Sequence, residues 1–570
     1  KGNIYQVVKA NKAGTDWYSA ITRNAPLQRH NLGFSGGSEN SRFYVGLGAQ
    51  NQDGILKNNK FTRYDFRVNS EFDLTSKLRI GENLQFTYRS VLGQGGANNG
   101  RGVAADENDI NQSYRMPSII PVYDEYGGYA GTAAKGFNNP RTPVASRDGQ
   151  VNDYNFGATA FGNVYAEYDI IPGLMVRSSL GGQSNNYYYK YYSRLQYENS
   201  ENNSSFGFGE GSGYNFQWTF TNTAEYKKKF GAHDITVLGG IESLNSGSGR
   251  DVGGSGINPF STDPSYPTLS NVSSKSVNSD LYSGYNLYST FGQVKYAFQD
   301  KYYLTGVIRR DGASNFGPNN PYGVFPAISA GWRISGEDFM KNQSFFTDLK
   351  LIVGYGQMGN LANISPTNSY SLYGGSLGGS SYDINGTNTS VVTGFNRTQI
   401  GNPNGKWETA TTSSLGIAGS ILTGKFDFSI DFWNKDNTGL LFQVPLPNTV
   451  GSATPPYQNV GSMNNKGIDL QIIHRGKINT DWKYEVTVNG SVLSNKILAF
   501  APEANVTYLD GVNYRGVTPV RSVVGQSISN FYGYQVVGLF QTQAEVDAAP
   551  KQDGAAIGRF RYADTNGDGV

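Results

Sequence analysis

Cysteine is absent from the 570 residues. That excludes disulfides, thiolate catalysis and zinc–sulfur sites. No run of about 18 apolar residues occurs, so no segment reads as a membrane-spanning helix. Charge is scarce and balanced: 16% of residues are charged and the net charge is +2. Near-neutrality without a basic stripe offers nucleic acid no footprint. Histidine occurs only at His30, His233 and His474. These are far apart in sequence, and no Ser/His/Asp or HExxH arrangement accompanies them. Carboxylates are spread along many segments, and none stands out as an acid/base pair. The chain is not expected to be an enzyme. Its opening residues, KGNIYQVVKA, lack the apolar stretch of a signal peptide.

Glycine (73), tyrosine (39) and phenylalanine (31) are abundant instead. Such a composition, poor in strong helix formers, reads as all-β. A single soluble core stops growing near about 250–300 residues, so the chain needs several domains or an architecture that grows strand by strand. Residues 61–89 show which. Thr62, Tyr64, Phe66, Val68, Ser70, Phe72 and Leu74 fall on one face of an extended chain; Arg63, Asp65, Arg67, Asn69, Glu71 and Asp73 fall on the other. The alternation recurs over 153–170, 174–182 and 214–228. It recurs again as the pairs 287–298 with 302–310, 412–422 with 425–434, and 466–475 with 481–492. These runs are two to three times the roughly 5–6 residues of an ordinary strand.

Short turns near 75–77, 171–173, 229–233, 299–301 and 423–425 separate the runs on one side. Long Gly/Asn/Ser-rich stretches at 91–150, 244–286, 357–411 and 493–550 separate them on the other. Lipid offers the backbone no hydrogen bonds, so a spanning sheet has to close. The expectation is an all-β, transmembrane antiparallel β-barrel of roughly 16–18 strands, with short periplasmic turns and long extracellular loops. A soluble sandwich, propeller or β-helix would show shorter strands and more even loops.

Two segments carry candidate site residues. In DTNGDG, Asp564, Asn566 and Asp568 hold positions 1, 3 and 5 of a calcium loop, with Gly569 at the turn. The competing reading is an Asx-rich turn. In YYYKYY, Tyr187, Tyr189 and Tyr191 are candidates for stacking on sugar faces. The competing reading is an interfacial aromatic girdle with Lys190 snorkelling. Trp218, Trp332, Trp407 and Trp433 are expected at strand ends or on lipid faces. The segments 139–141 and 445–458 are expected in extracellular loops.

RRDGASNFGPNNPYGVFPAISAGWRISGEDFM and LKLIVGYGQMGN, within 309–360, are similar to the SusC/RagA family of TonB-dependent outer-membrane transporters. So, in order, are 31–69, 115–131, 402–442, NVGSMNNKGIDLQI at 459–472 and GRFRYADTNGDGV at 558–570. The resemblance implies a parent barrel of about 22 strands with a plugged lumen. It implies active import of large nutrients, oligosaccharides or peptides, through an outer membrane of the Bacteroidetes type. A SusD-like surface lipoprotein would lid the barrel and a TonB complex would energise it. No cofactor is implied. The chain departs from the family in showing no plug domain and no TonB box, and Val570 falls where further strands are expected. Residues 1–570 therefore read as a partial barrel. The alternative functions are a passive porin-like or structural barrel, or a secreted soluble β-protein that binds or cleaves glycans.

Overall fold

The computed structural model describes residues 13–93, 108–133, 136–137, 139–199, 203–375, 378–387, 389–444, 446–500, 506–513 and 516–570. The first 12 residues of the chain, with the opening decapeptide, lie outside them, as do parts of the 91–150 and 493–550 stretches. Among the described residues, seventeen strands build the long antiparallel ladders, and a few short strands pair apart from them. The seventeen are β1 (Leu27–Ser38), β2 (Ser41–Asp53), β3 (Lys60–Asp73), β4 (Leu78–Leu92), β5 (Tyr154–Ile171) and β6 (Leu174–Ser193). Next come β7 (Gly207–Phe230), β8 (His233–Ile257), β9 (Ser273–Ser283), β10 (Asn286–Phe298), β11 (Tyr302–Ala313) and β12 (Tyr322–Arg333). The last are β13 (Phe346–Asn360), β14 (Glu408–Ile421), β15 (Phe426–Gln443), β16 (Tyr457–Lys477) and β17 (Lys483–Ala499).

Two compact units divide the chain, residues 1–227 with 238–290, and residues 228–237 with 291–570. In the first, β1 to β7 pair each with the next. In the second, β11 to β17 do the same. Strands β9 and β10 both pair with β8 and are separated only by Gly284 and Tyr285. At that break the Gly284 N–H donates to the Gly247 carbonyl at 2.8 Å, and the Ser246 N–H to the Tyr285 carbonyl at 2.9 Å. Gly247 takes φ 148°, open to glycine alone. The two strands thus act as one kinked strand.

Every expected short turn is present, at 74–77, 172–173, 231–232, 299–301 and 422–425. Pro172 and Gly173 (φ 88°) supply the residue types of a type II turn. Gln299 and Asp300, with φ 54° and 55°, form the mirror-image turn that suits twisted strands. One expectation is corrected. The stretch 244–286 is not a loop: 244–257 lies in β8 and 273–283 is β9. Its glycines permit approaches that a Cβ would block, as at Gly254 against the Ser276 carbonyl. They also erase the alternation that marks a strand. Strands β1, β2, β12 and β13 were not among the alternating runs for the same reason, since glycine and serine dilute both faces.

The alternation sets what each face exposes. Tyr64, Phe66, Phe72, Phe86, Val164, Leu180, Phe216 and Phe220 all stand open on the strand surface, Tyr64 at 56% and Leu180 at 50%. Large apolar side chains so exposed along whole strands suit lipid rather than water.

The described parts of the long connection between β4 and β5 are packed. Helices α1 (Trp17–Ile21), α2 (Asp109–Arg115) and α3 (Pro143–Gly149) gather around Trp17, Met116, Ile120 and Ala130. Arg147 is the buried hub. It pairs with Asp109 at 2.9 Å and donates to the Lys57 carbonyl at 3.1 Å, and to the Gly93 carbonyl. Beside it Asp153 is 3% exposed. One carboxylate oxygen accepts the Tyr192 N–H at 2.8 Å, and the other has no partner among the described residues. Burial pushes this carboxyl up to about 7, against the weaker pull of Arg147.

A carboxyl raised in the folded state favours folding while it stays neutral. That contribution is fully present below about pH 4, the ordinary carboxylate range. It declines as pH rises and is lost once pH passes about 7. Hydrogen exchange of 143–153 should therefore slow at pH 5.5 relative to pH 8 after correction for intrinsic rates, and Asp153→Asn should abolish the difference. Equal protection at both pH values contradicts this.

Candidate functional site

The polar face of the first unit has two levels. Near the short turns it is a charged lattice. Arg79 bonds Asp73 at 2.8 Å and Glu167 at 3.2 Å; Arg177 bonds Glu167 at 2.9 Å. Arg42 pairs with Glu71, which also accepts the Tyr165 hydroxyl at 2.8 Å. The Arg177 guanidinium lies 4.1 Å from the Tyr165 ring centre. Higher up, Arg63 pairs with Asp65 at 2.8 Å, and Thr87 donates to the same carboxylate at 2.7 Å. Each of these carboxylates is held by an arginine. Such a lattice fixes strand positions and presents both signs of charge to water.

Toward the long loops the same face turns aromatic. Residues 187–192 sit in β6, where odd positions continue the row of Arg177, Gln183 and Asn185. Tyr187, Tyr189 and Tyr191 therefore lie on the polar face. Their rings repeat at 6.4 Å, with interplanar angles of 10° and 16°. Each is directly opposite a glycine of β7: Tyr187 faces Gly213, Tyr189 faces Gly211 and Tyr191 faces Gly209. A Cβ on Gly211 would lie 2.7 Å from the Tyr189 hydroxyl, and one on Gly213 would lie 2.6 Å from that of Tyr187. The rings rest on bare backbone. The Tyr187 hydroxyl is further tied to Asp251 at 2.5 Å.

The even positions behave differently. Tyr188 stacks in a row with Phe156 and Tyr88, at ring separations of 6.0 Å. This row carries the girdle geometry. Tyr192 is buried with Phe208 and Val272 beneath the loops. Parity along the strand separates the two readings of YYYKYY, and composition alone does not.

Aromatic–glycine seating recurs across strands. Tyr165 lies opposite Gly81, and in the second unit Trp433 lies opposite Gly467. Trp433 donates to Asp469 at 2.9 Å. It stands on the polar face of β15, not at a strand end or on a lipid face as expected. Gly467 leaves the space its ring needs. Of the other tryptophans, Trp218 lies within β7 between Phe216 and Phe220. Trp332 donates to Glu337 at 3.0 Å near a short turn. Trp407 packs on Phe316 and Phe325 below a long loop. Phe161 and Tyr165 were not singled out, although their odd positions among polar neighbours mark them.

The candidate calcium residues lie in a turn at 564–569. Asp564 accepts backbone N–H groups from Gly567 at 2.7 Å, Gly569 at 2.9 Å and Asp568 at 3.3 Å. These bonds, that from Gly569 first, hold its carboxyl below the usual range. Asn566 donates to Asp568 at 2.7 Å. The arrangement is that of an Asx turn. Among the described residues no group of three His, Cys, Asp or Glu side chains converges as metal ligands do. The histidines are dispersed: His30 lies in β1, His233 packs among Phe230, Tyr296 and Phe298, and His474 stacks on Phe426.

Residues 117–568 match the family model described as TonB dependent receptor-like, beta-barrel. TonB-dependent receptor P26 of Formosa agariphila is 30% identical over 97% of this chain and 54% of its own length. TonB-dependent receptor SusC of Bacteroides thetaiotaomicron is 26% identical over 92% of this chain and 53% of its own. The chain thus spans about half the length of these curated relatives. Among solved structures, the RagAB peptide transporter shares the fold, with a TM-score of 0.77 and 24% identity over 93% of this chain and 57% of that one. The matched family is one of transporters and receptors, not of enzymes. Strand ladders, face alternation and these likenesses agree: the chain belongs to the TonB dependent receptor-like β-barrel family of outer-membrane proteins.

Proposed function

We propose that the chain is the barrel portion of a TonB-energised importer of large nutrients, oligosaccharides or peptides, lidded by a SusD-like surface lipoprotein. The likeness to SusC over 92% of the chain carries this reading. A peptide transporter with the same fold keeps peptide cargo beside glycan. The polar face, which a barrel turns to its lumen, suits either cargo. Its arginine–carboxylate lattice is wet and internally neutralised, and its tyrosine rungs offer flat apolar surface to sugar C–H faces or to peptide side chains. No catalytic role is assigned to any residue. A passive porin-like barrel is the other reading, and energy coupling separates the two.

Uptake of the cognate nutrient should fall to background in cells lacking TonB. It should also fall with Tyr187, Tyr189 and Tyr191 together changed to Ala, while Tyr188→Ala leaves it unchanged. An aromatic contact contributes about 0.5–1.5 kcal/mol, so the triple variant should lose affinity on the order of tenfold or more. Uptake that persists without TonB contradicts the importer. Unchanged uptake by the folded triple variant contradicts the tyrosine platform.

The 564–569 turn remains a proposed Ca2+ loop. Its support is the oxygen donors of Asp564, Asn566 and Asp568 at alternate positions. Addition of Ca2+ to the whole protein at about 1 mM should increase hydrogen-exchange protection across 564–569. No change leaves the Asx turn as its whole role.

A further inference from the structure

We propose that the apolar face of the second unit, at the long-loop end of β16 and β17, binds the phosphate of an outer-leaflet glycolipid through Lys466 and Lys496.

The register fixes the face. Leu415, Phe432, Ile468 and Val492 stand opposite one another in turn across β14, β15, β16 and β17. All four are exposed, as are Leu470 and Ile472 on the same row of β16 and Val486 and Val488 on that of β17. Two residues further along each strand the row turns polar, at Ser413, Asn434, Lys466 and Ser494. The next rung holds Thr411, Asp436, Asn464 and Lys496. No register shift falls between these rungs, so both lysines share the apolar face and lie away from Trp433 and Asp469 on the polar one. Side-chain bonds agree. The Asn464 amide donates to Asn434 at 2.8 Å and to Asp436 at 2.7 Å, and that of Asn434 donates to Asp436 at 3.1 Å.

Height comes next. The turn between β16 and β17 is short, and short turns face the periplasm in an outer-membrane barrel. From Val486 the β17 strand runs ten residues to Lys496. At about 3.3 Å each and a tilt of about 40°, these climb about 25 Å, the height of the apolar band. The two lysines therefore stand where the apolar row stops, among the headgroups of the outer leaflet.

The charge there is open. Lys466 and Lys496 are exposed and form no ion pair among the described residues. They are diagonal neighbours in the ladder, about 7–8 Å apart at the backbone, and like charges so placed repel. Asp436, the carboxylate of these two rungs, is already satisfied, one oxygen accepting from Asn434 and the other from Asn464. The Ser494 hydroxyl, opposite Lys466, has no partner among the described residues. A phosphate seated between the ammonium groups removes their repulsion and accepts a hydrogen bond from Ser494. Closer to the turn, Gly490 stands opposite Leu470, with open space where a side chain would be. It leaves a notch between Val488 and Val492 for an acyl chain. The face thus fits an amphiphile with its phosphate at the lysines and its hydrocarbon along the valines. The phosphorylated glucosamine lipid of the outer leaflet has that form.

Native mass spectrometry of the whole protein in mild detergent tests this, with monophosphorylated lipid A set against the same lipid freed of phosphate. The wild type should prefer the phosphorylated form at least tenfold. Lys466→Gln and Lys496→Gln should each weaken its binding about fivefold, and the double variant about 25-fold. Glutamine keeps most of the stem and removes the charge, so the ladder is left intact. Lys435→Gln, beside Asn434 in β15 but on the polar face, should leave binding unchanged. No preference for the phosphorylated lipid, full binding by the double variant, or an equal loss in Lys435→Gln overturns the proposal and leaves the importer reading untouched. Inorganic phosphate or phosphatidylglycerol that binds as tightly as lipid A would make this a site for any anion and would also overturn it.

Discussion

Everything in this molecule rests on the strand ladder having to satisfy its own backbone. In hydrocarbon an unpaired N–H or C=O costs several kcal/mol, so a spanning chain pairs every strand with its neighbours. The ladder then imposes a period of two on the side chains. One row faces lipid and the next faces water, whatever else the protein must do. That is why β3 can carry Tyr64, Phe66 and Phe72 on one side and Arg63, Asp65 and Glu71 on the other within 14 residues. It also explains the exposed aliphatic and aromatic rows, which would be a liability on a soluble protein.

Within that frame the polar face solves a second problem. A barrel interior needs large side chains to shape its passage, but adjacent strands lie only about 4.8 Å apart. Seating inward aromatics on cross-strand glycines resolves the conflict at several rungs. Tyr187, Tyr189 and Tyr191 lie on Gly213, Gly211 and Gly209, and Trp433 lies on Gly467. Glycine is a poor strand former, and the ring that covers it restores the lost contact. The tyrosine rungs are thereby held in register by the backbone rather than by rotamer preference alone.

The architecture was legible because long strands repeat one signal many times. Alternation located β3, β4, β5 and β7, and all five expected turns appear, four of them where glycine, proline or left-handed residues permit them. Legibility failed where glycine and serine fill both faces, as in the upper half of β8. There cross-strand pairing decides, and it is invisible along a single segment. The candidate site was half legible. YYYKYY stood out by composition, but its division into polar-face and lipid-face residues needed the register with GFGEGSG of β7. Phe161 and Tyr165 passed unnoticed, and Trp433 was assigned to the wrong face, because an aromatic on a polar face looks like noise until the face is known. The buried pair of Arg147 with Asp109 joins residues 38 apart across a long connection, and nothing local announces it.

The central claim is that side-chain parity along each strand separates lipid from water. The absence of cysteine from these residues makes the measurement direct. Single cysteines placed in turn from Leu180 to Tyr189 of β6, in the whole protein in native-like membranes, are reacted with a membrane-impermeant maleimide applied to both sides. Odd positions such as Gln183, Asn185 and Tyr187 should react and even positions should not, while a lipid-soluble reagent gives the opposite pattern. Reactivity that rises smoothly along the strand, or that is equal at neighbouring positions, would contradict the account.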